Sequence, residues 1–259
     1  MLPDIAKEEL AAALDATVAE ILAATGVEGP PVDAREVARE LLLTVAWDAR
    51  QSGRARIVHL AGDPGGSFNG SILLRPEPRT ERRHWAIAHE IGEEAAERVF
   101  RLLGVDPRAA PTATREHVAN QLAGRLLLPT DWFAADGAVC DWDLFALKER
   151  YGTASHELIA RRMLDFDRPV IVTVFDHGER TWRRSNVPGR IPPLNGQEQI
   201  AWRQAHQTSE PADLESHSLR VRAWPIHEVT GAITPVAGAI TPAGWKREIV
   251  RTDLLEEFW

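Results

Sequence analysis

The chain has 259 residues, 44% of them hydrophobic and 26% charged, and its 30 Lys and Arg against 38 Asp and Glu give a formal net charge of −8. This composition excludes a disordered, collagen-like or low-complexity chain, and the acidic total argues against broad nucleic-acid binding while leaving a local basic patch open. The single cysteine, Cys140, favours a reducing compartment, and neither a membrane-length apolar run nor a signal-peptide pattern occurs, so we expect a cytoplasmic protein without a membrane partner.

The first part of the chain predicts two helices followed by three strands. Apolar residues recur at helical spacing over 4–24. After Pro30-Pro31, Asp33 and Glu36 have the spacing of a capping box for a short second helix. Strand composition follows in the segments 41–47, 54–62 and 71–75. The Gly- and Asn-rich run between the last two predicts a mobile loop at the rim of a substrate cleft.

Two longer helices and two shorter ones come next. We expect Thr80 to cap a long helix that closes at Gly104. A second helix runs from about Thr114 to Pro129, which ends it. The short helices cover 141–152 and 154–164.

Beyond Arg168 the sequence favours strands. They are predicted over 169–175, 219–226 and 247–251, among frequent Pro, Gly and Trp. The pentapeptide GAITP occurs twice within 229–244, which predicts a hairpin or an extended loop there.

The segment Ala88–Glu93, AHEIGE, has the residue types and spacing of a metal-binding helix. His89 and Glu93 are four residues apart, so on a helix both side chains face the same way and can bind one ion. Glu90 is offset enough to miss the ion but can reach a water beside it. This is the arrangement of an HExxH zinc helix, with glutamate in place of the second histidine.

The following helix offers the third metal ligand. Glu116 can face His89 and Glu93 across two antiparallel helices, and Asn120, one turn further on, can hold that ligand in place. His117 is an alternative ligand if the helix is rotated.

Two strings together identify a family resemblance. RRHWAIAHEIGE, followed by REHVANQLAGRLLLP, resembles the ImmA/IrrE family of metallopeptidases over roughly residues 30–175. The positions that match the family pattern are Arg83, Ala88, His89, Glu90, Gly92, Glu116, Ala119, Asn120, Ala123, Leu127 and Pro129.

The resemblance implies an α+β fold: a zincin-like domain with a small mixed sheet packed on the metal-binding helix, then short helices and a β-rich C-terminal region. We place the zincin-like domain at 1–135, a helical segment, for which a helix-turn-helix is one interpretation, at 136–168, and a region of unknown role at 169–259. The implied activity is cleavage of a helix-turn-helix (Xre-type) repressor in a transcriptional or stress response. His89 and Glu116 would then be metal ligands and Glu90 the general base or acid, with Glu93 standing where the family's other ligand belongs.

Glu93 changes the expected chemistry of the metal. A second carboxylate cancels the positive charge that a two-histidine, one-glutamate site retains, so the pKa of a water on the ion should rise. Zinc is the expected cofactor. Carboxylate-rich ligation shifts the preference toward manganese or iron(II), so these ions are alternatives. Three interpretations stay open: an active endopeptidase with altered metal or pH preference, a protein that binds metal without cleaving, and a protein that binds no metal. The last two describe a non-catalytic regulator that binds a partner protein.

Two further interpretations concern surfaces. The peptide is expected along Ser71–Arg75, taken as an edge strand. The helices around Gly152, with their Lys and Arg residues, either contact DNA as a helix-turn-helix or brace the catalytic domain, and the acidic chain favours bracing.

Overall fold

The computed structural model describes residues 5–51, 53–59, 70–226 and 246–255, so the predicted rim loop at 60–69 and the repeated GAITP segment lie outside the described residues. The chain divides into two compact units, Met1–Ser155 and His156–Trp259. The boundaries proposed from the sequence after 135 and 168 stay predictions.

The first unit is mainly helical, with one small sheet. Its elements are α1 (Lys7–Thr25), α2 (Ala34–Glu40), β1 (Thr44–Trp47), β2 (Ala55–His59), β3 (Gly70–Leu74), α3 (Thr80–Leu102), α4 (Thr112–Leu127), α5 (Thr130–Val139) and α6 (Leu144–Arg150).

The small sheet has the order β1-β3-β2, with β1 parallel and β2 antiparallel to β3. The expectation that Ser71–Arg75 forms an edge strand is therefore wrong, because β3 is paired on both sides and has no free backbone edge. The edge beside α3 belongs to β2, which packs on that helix together with β3. Ile72 and Leu74 of β3 are buried, as expected for a central strand.

Three element boundaries differ from the sequence prediction. Thr80 is the first residue of α3 and does not cap it, because its hydroxyl accepts a hydrogen bond from Arg83 instead. The first strand begins at Thr44, since Leu42 adopts a left-handed conformation (φ 63°) that ends α2. Pro129 ends α4 but also precedes the additional helix α5, a position in which proline costs no hydrogen bond.

Helix α1 packs on α3 and α4 through a buried stripe that includes Leu14, Val18 and Ile21. A polar contact fixes its position along α4. The Asp15 carboxylate accepts hydrogen bonds from the Arg125 guanidinium (3.0 Å) and the Thr130 hydroxyl (2.5 Å), so the N-terminal helix is joined to both α4 and α5.

Helices α3 and α4 make the most extensive helix contact described in the first unit, and Gly92 lies at its centre. A Cβ atom at position 92 would stand 2.6 Å from the carbonyl oxygen of Ala119 and 3.3 Å from the Cβ of Leu122. The two backbones can approach this closely only because position 92 has no side chain. Small residues Ala88, Ala95 and Ala119 continue the same buried seam.

The second unit is an antiparallel sheet covered by one helix. Its elements are α7 (His156–Arg162), a 3₁₀ turn (Met163–Asp165), β4 (Val170–Asp176), β5 (Glu179–Ser185), α8 (Gly196–Thr208), β6 (Ala212–Glu215), β7 (Leu219–Pro225) and β8 (Arg247–Leu254). The strand order is β5-β4-β8-β7-β6. Helix α8, Phe175, Val221 and Val250 contribute to its core.

Helix α8 was not predicted, although its capping box was readable in the sequence. The Asn195 side chain accepts from the Glu198 amide, and the Glu198 carboxylate accepts from the Asn195 amide, both at 2.9 Å. Glu198 is fully buried and also pairs with Arg183 through both carboxylate oxygens, at 3.0 and 3.1 Å. Thr252 of β8 donates to the same carboxylate. One side chain thus joins the start of α8 to two strands.

The basic residues around Gly152 are engaged within the protein. Lys148 pairs with Glu81 at 3.0 Å and donates to the backbone carbonyls of Gly152 and Ala154. The other three form ion pairs as well: Arg150 with Asp136, Arg161 with Glu157 and Arg162 with Asp165. These contacts favour the bracing interpretation over contact with DNA.

The predicted α+β class, with a small mixed sheet, short helices and a β-rich C-terminal region, is confirmed. Among the described residues, no helix combines the length and apolar character that crossing a membrane requires.

Replacing Gly92 with alanine should destabilise the first unit by about 1–3 kcal/mol, because the added methyl group must push α3 away from the Ala119 carbonyl. Urea unfolding measures the change. Gly29→Ala is the matched control, since a Cβ there meets nothing within 4 Å. Equal stability of the two variants would show that α3 and α4 can separate without cost.

Candidate metal centre and catalytic cleft

Helix α3 presents His89, Glu90 and Glu93 at one side of the small sheet. The side chain of His89 is 18% exposed and that of Glu93 is 44% exposed, whereas Glu90 is buried. One potential ligand atom from each of the three lies within 4.8 Å of the others. The spacing read from the sequence therefore brings these groups together, as a helix with residues i and i+4 on one face requires.

Helix α4 adds Glu116 from the opposite side. The His89 Nε2 atom lies 3.5 Å from Glu93 Oε1 and 3.7 Å from Glu116 Oε1. The close packing of the helices at Gly92 makes this approach possible. The structure thus brings all three sequence-predicted metal ligands to one place.

These distances suit one cation among the three groups. Ligands about 2.1 Å from a tetrahedral ion lie about 3.4 Å from one another, close to both separations measured from Nε2. The donor set contains one imidazole nitrogen and two carboxylates, a combination that suits zinc and also harder ions such as manganese or iron(II). The residues present therefore fit a divalent metal.

Asn120 holds Glu116, the most exposed of the three candidate ligands. Its Nδ2 group donates to the Glu116 carboxylate and to the Glu116 backbone carbonyl, each at 2.9 Å. These bonds restrict the rotation of a side chain that is 52% exposed. Asn120 is thus placed for the supporting role expected from the sequence.

Glu90 lies in a different environment from the other glutamates. Its pKa is raised to about 7, mainly by burial and also by the neighbouring charges of Glu93 and Glu116, while a backbone hydrogen bond from Ile57 opposes the rise. Its Oε2 atom has no hydrogen-bond partner among the described residues. Glu90 is therefore a carboxyl group that can exchange a proton near neutral pH.

The four groups open into a cleft of about 470 Å³ between α3, α4 and the edge strand β2. The β2 side of the cleft includes Arg54, Arg56 and Ile57, and α3 adds Trp85. These residues were not predicted from the sequence. The signal available was the alternation of basic and apolar residues in 54–58, which becomes informative only once β2 is known to be the edge strand.

The remaining candidates lie outside this group. His117 is exposed and does not line the cleft, so the alternative ligand predicted for a rotated helix faces away. Cys140 is half-buried, and burial raises its pKa, which keeps the thiol protonated.

In the metal-free protein, the ionisation of Glu90 should reduce stability. The folded-state pKa of about 7 exceeds the ordinary value of 4.5, so the free energy of unfolding should fall as pH rises from 4.5 to 7 by an amount of the order of 1–3 kcal/mol. Glu90→Gln should remove that fall and be the more stable protein above pH 7. Urea unfolding with a chelator, at both ends of this range, measures the effect.

Glu97→Gln is the control for this titration, because Glu97 is an exposed residue of the same helix. A parallel pH dependence in wild type and Glu90→Gln would contradict the buried, proton-exchanging role of Glu90.

Comparisons with known proteins give a family match and a similar fold. Residues 50–164 match the family described as Peptidase_M78, the IrrE N-terminal-like domain. Comparison with curated proteins gives no significant match. Among solved structures, a Mycobacterium tuberculosis transcriptional regulator is similar in fold, with a TM-score of 0.65 at 16% identity, covering 93% of this chain and 75% of that one.

The matched segment contains His89, Glu90, Glu93, Glu116 and Asn120, and it includes the small sheet from β2 onward. The family resemblance expected from the two sequence strings is therefore confirmed. Residues 50–164 are thus similar to the IrrE N-terminal-like family of peptidase domains.

Proposed function

We propose that this protein is a metal-dependent endopeptidase that cleaves a regulatory protein, such as a helix-turn-helix repressor of the Xre type. One observation carries the proposal. The Oε1 atoms of Glu93 and Glu116 lie 3.5 and 3.7 Å from the His89 Nε2 atom, and Glu90 lines the same cleft. The family match supports a regulator-related metallopeptidase. A regulator acting on transcription factors belongs in the cytoplasm, where the single cysteine also fits.

Three side chains would hold the metal: His89 through Nε2, and Glu93 and Glu116 through their carboxylates. When bound, a divalent cation supplies Lewis acidity, which polarises the scissile carbonyl and makes a nearby water more acidic. The protein fixes the positions of the ligands beforehand, through the helix spacing in α3, the contact at Gly92 and the hydrogen bonds from Asn120.

The substrate would bind along β2. Among the described strands, β2 pairs with β3 alone, and its other side borders the cleft. An extended peptide can add to such an edge by main-chain hydrogen bonds, which position its backbone whatever its side chains are. The scissile carbonyl is thereby brought beside Glu90.

Glu90 would then move the proton. Its carboxylate accepts a proton from the attacking water as the oxygen bonds to the scissile carbon, and returns that proton to the leaving amine nitrogen as the C–N bond breaks. A pKa of about 7 suits both halves of this transfer, because the group gains and loses a proton at small cost near neutral pH. Atoms and charge balance, since one water is consumed for each peptide bond.

Glu93 is the distinctive residue of this centre. With a carboxylate in place of a histidine, the ligands neutralise a divalent charge completely, and Glu90 adds a further negative charge nearby. The centre should therefore accept manganese or iron(II) more readily than a two-histidine site does, and should work at somewhat higher pH with zinc.

Glu90→Gln should abolish cleavage of a helix-turn-helix repressor substrate while leaving metal binding intact, because it removes the proton acceptor and keeps the shape of the side chain. Loss of general-base catalysis predicts a decrease of about 10²–10⁴-fold or more. The measurement is repressor proteolysis with zinc, manganese or iron(II), together with metal content. His117→Gln, an exposed change outside the cleft, is the control.

If wild type binds the repressor but cleaves it with none of these ions, the enzyme proposal fails and a non-catalytic regulator takes its place. Partner binding without cleavage, unchanged in Glu90→Gln, is the signature of that alternative.

Glu93→His should raise the affinity for zinc, because a neutral imidazole replaces one carboxylate and restores the two-histidine ligand set. Competition with a fluorescent chelator measures the dissociation constant, and Glu97→His on the same helix is the control. An unchanged zinc affinity would show that Glu93 is not a ligand.

A further inference from the structure

A second, smaller pocket adjoins the cleft at the start of β2. Its volume is about 240 Å³, and it shares Arg54 and Ala86 with the cleft. Four guanidinium groups line it, from Arg54, Arg75, Arg82 and Arg83, against one carboxylate, Glu77. In a chain with a net charge of −8, this is a concentrated positive site.

Two of these arginines lie directly opposite each other. Ala55 pairs with Leu74 in the β2–β3 ladder, and the Arg75 amide donates to the Arg54 carbonyl at 2.9 Å, so the next cross-strand pair is Arg54 with Arg75. Like charges directly opposite each other on antiparallel strands are destabilising. Within the described residues, neither guanidinium has a carboxylate partner.

The other two arginines are partly engaged. Arg82 lies 3.4 Å from Glu77, a long contact, and Arg83 donates to the neutral hydroxyl of Thr80. The single acidic residue therefore leaves most of the positive charge in the pocket without compensation.

Protection of a sheet edge does not explain this arrangement. Basic side chains on edge strands discourage pairing with other proteins, which accounts for Arg54 at the start of β2. Arg75 follows the central strand β3, and Arg82 lies on α3. Residues from three elements converge on one small pocket, which is the property of a binding site.

We propose that this pocket is a specificity subsite for an acidic side chain of the peptide substrate, an inference that rests on the proposed endopeptidase function. A carboxylate is planar and accepts paired hydrogen bonds from guanidinium groups, so an Asp or Glu side chain matches the lining. It would also relieve the repulsion between Arg54 and Arg75.

The position of the pocket sets the register of the substrate. Arg54 lies at one end of β2, whereas Ile57 donates its backbone hydrogen bond to Glu90. A peptide paired with β2 advances about 3.3 Å per residue, so the acidic side chain would lie roughly three residues from the scissile bond. The opposite end of the cleft carries Glu90, Glu93 and Glu116, which repel an acidic side chain. The charge pattern thus admits the substrate in one register.

Peptide binding tests the subsite without requiring cleavage. The probe is a fluorescein-labelled, N-acetylated and C-amidated peptide of alternating valine and threonine, with one glutamate placed at each position in turn and a glutamine peptide as the match for each. Anisotropy is measured on the full-length chain carrying Glu90→Gln, so that no turnover follows binding. One register should bind about tenfold more tightly with glutamate than with glutamine.

Arg54→Gln and Arg75→Gln, each added to that background, should remove the preference for glutamate. Arg108→Gln should keep it, because it removes the same charge from an exposed loop outside both pockets. Arg75→Gln should also raise the Tm at low ionic strength by relieving the cross-strand repulsion, which shows that this variant is folded.

Equal gains from glutamate at every position, or a preference that survives both substitutions, would overturn the subsite. A glutamine peptide with a free C-terminus is a further comparison. If it binds as tightly as the best glutamate peptide, the pocket binds a terminal carboxylate and the proposal of an acidic side chain is wrong. If position-specific binding is found but no repressor is cleaved, the endopeptidase proposal fails and the acidic-peptide site stands. Cleavage without the glutamate preference removes only the subsite.

Discussion

The approach of α3 to α4 at Gly92 determines where Glu116 lies relative to the other groups of the candidate centre. Because Gly92 has no side chain, the Ala119 carbonyl of α4 can lie where a Cβ atom of α3 would clash with it. The same contact brings Glu116 to 3.7 Å from His89, one turn of α3 away from the glycine. Helix α3 alone could present His89, Glu90 and Glu93, but a third ligand requires a second helix at a fixed distance. The packing of the core and the geometry of the site are therefore one constraint.

The electrostatics of the cleft follow from its two borders. The helix side carries four ionisable groups that suit a cation, and burial among them raises the pKa of Glu90. The strand side carries arginines from the start of β2. This separation of charge means that the net charge of −8 says little about what the cleft prefers, because opposite charges are concentrated within a few residues of each other.

The candidate residues on α3 and α4 could be predicted because the spacing of residues along a single helix determines which side chains lie together. Spacing of four residues in α3, and again from Glu116 to Asn120 in α4, determines which side chains share a face. The strand order is different, since whether β3 or β2 forms the edge depends on pairing between residues distant in sequence, and this is why Ser71–Arg75 was assigned to the wrong place. The cleft residues of β2 were missed for the same reason.

Helix α8 shows a different limit. The spacing of Asn195 and Glu198 is that of a capping box, but the surrounding Pro- and Gly-rich sequence favoured irregular structure. Cys140 is another case, because burial raises the pKa of its thiol. Its half-buried position depends on the packing of α5, a helix that the sequence analysis did not find.

The hydrogen bonds of Asp15 show where the chain should not be truncated. The family match begins at residue 50, yet α1 buries Leu14 and Ile21 and binds Arg125 on α4 and Thr130 at the start of α5. A fragment trimmed to the matched segment would leave an apolar groove and the nearly buried Arg125 guanidinium facing water, on the helices that carry the candidate metal ligands. The matched segment is shorter than the compact unit that contains it, so residues 5–49 belong to the same unit as the candidate metal centre, although none of these described residues lines the cleft.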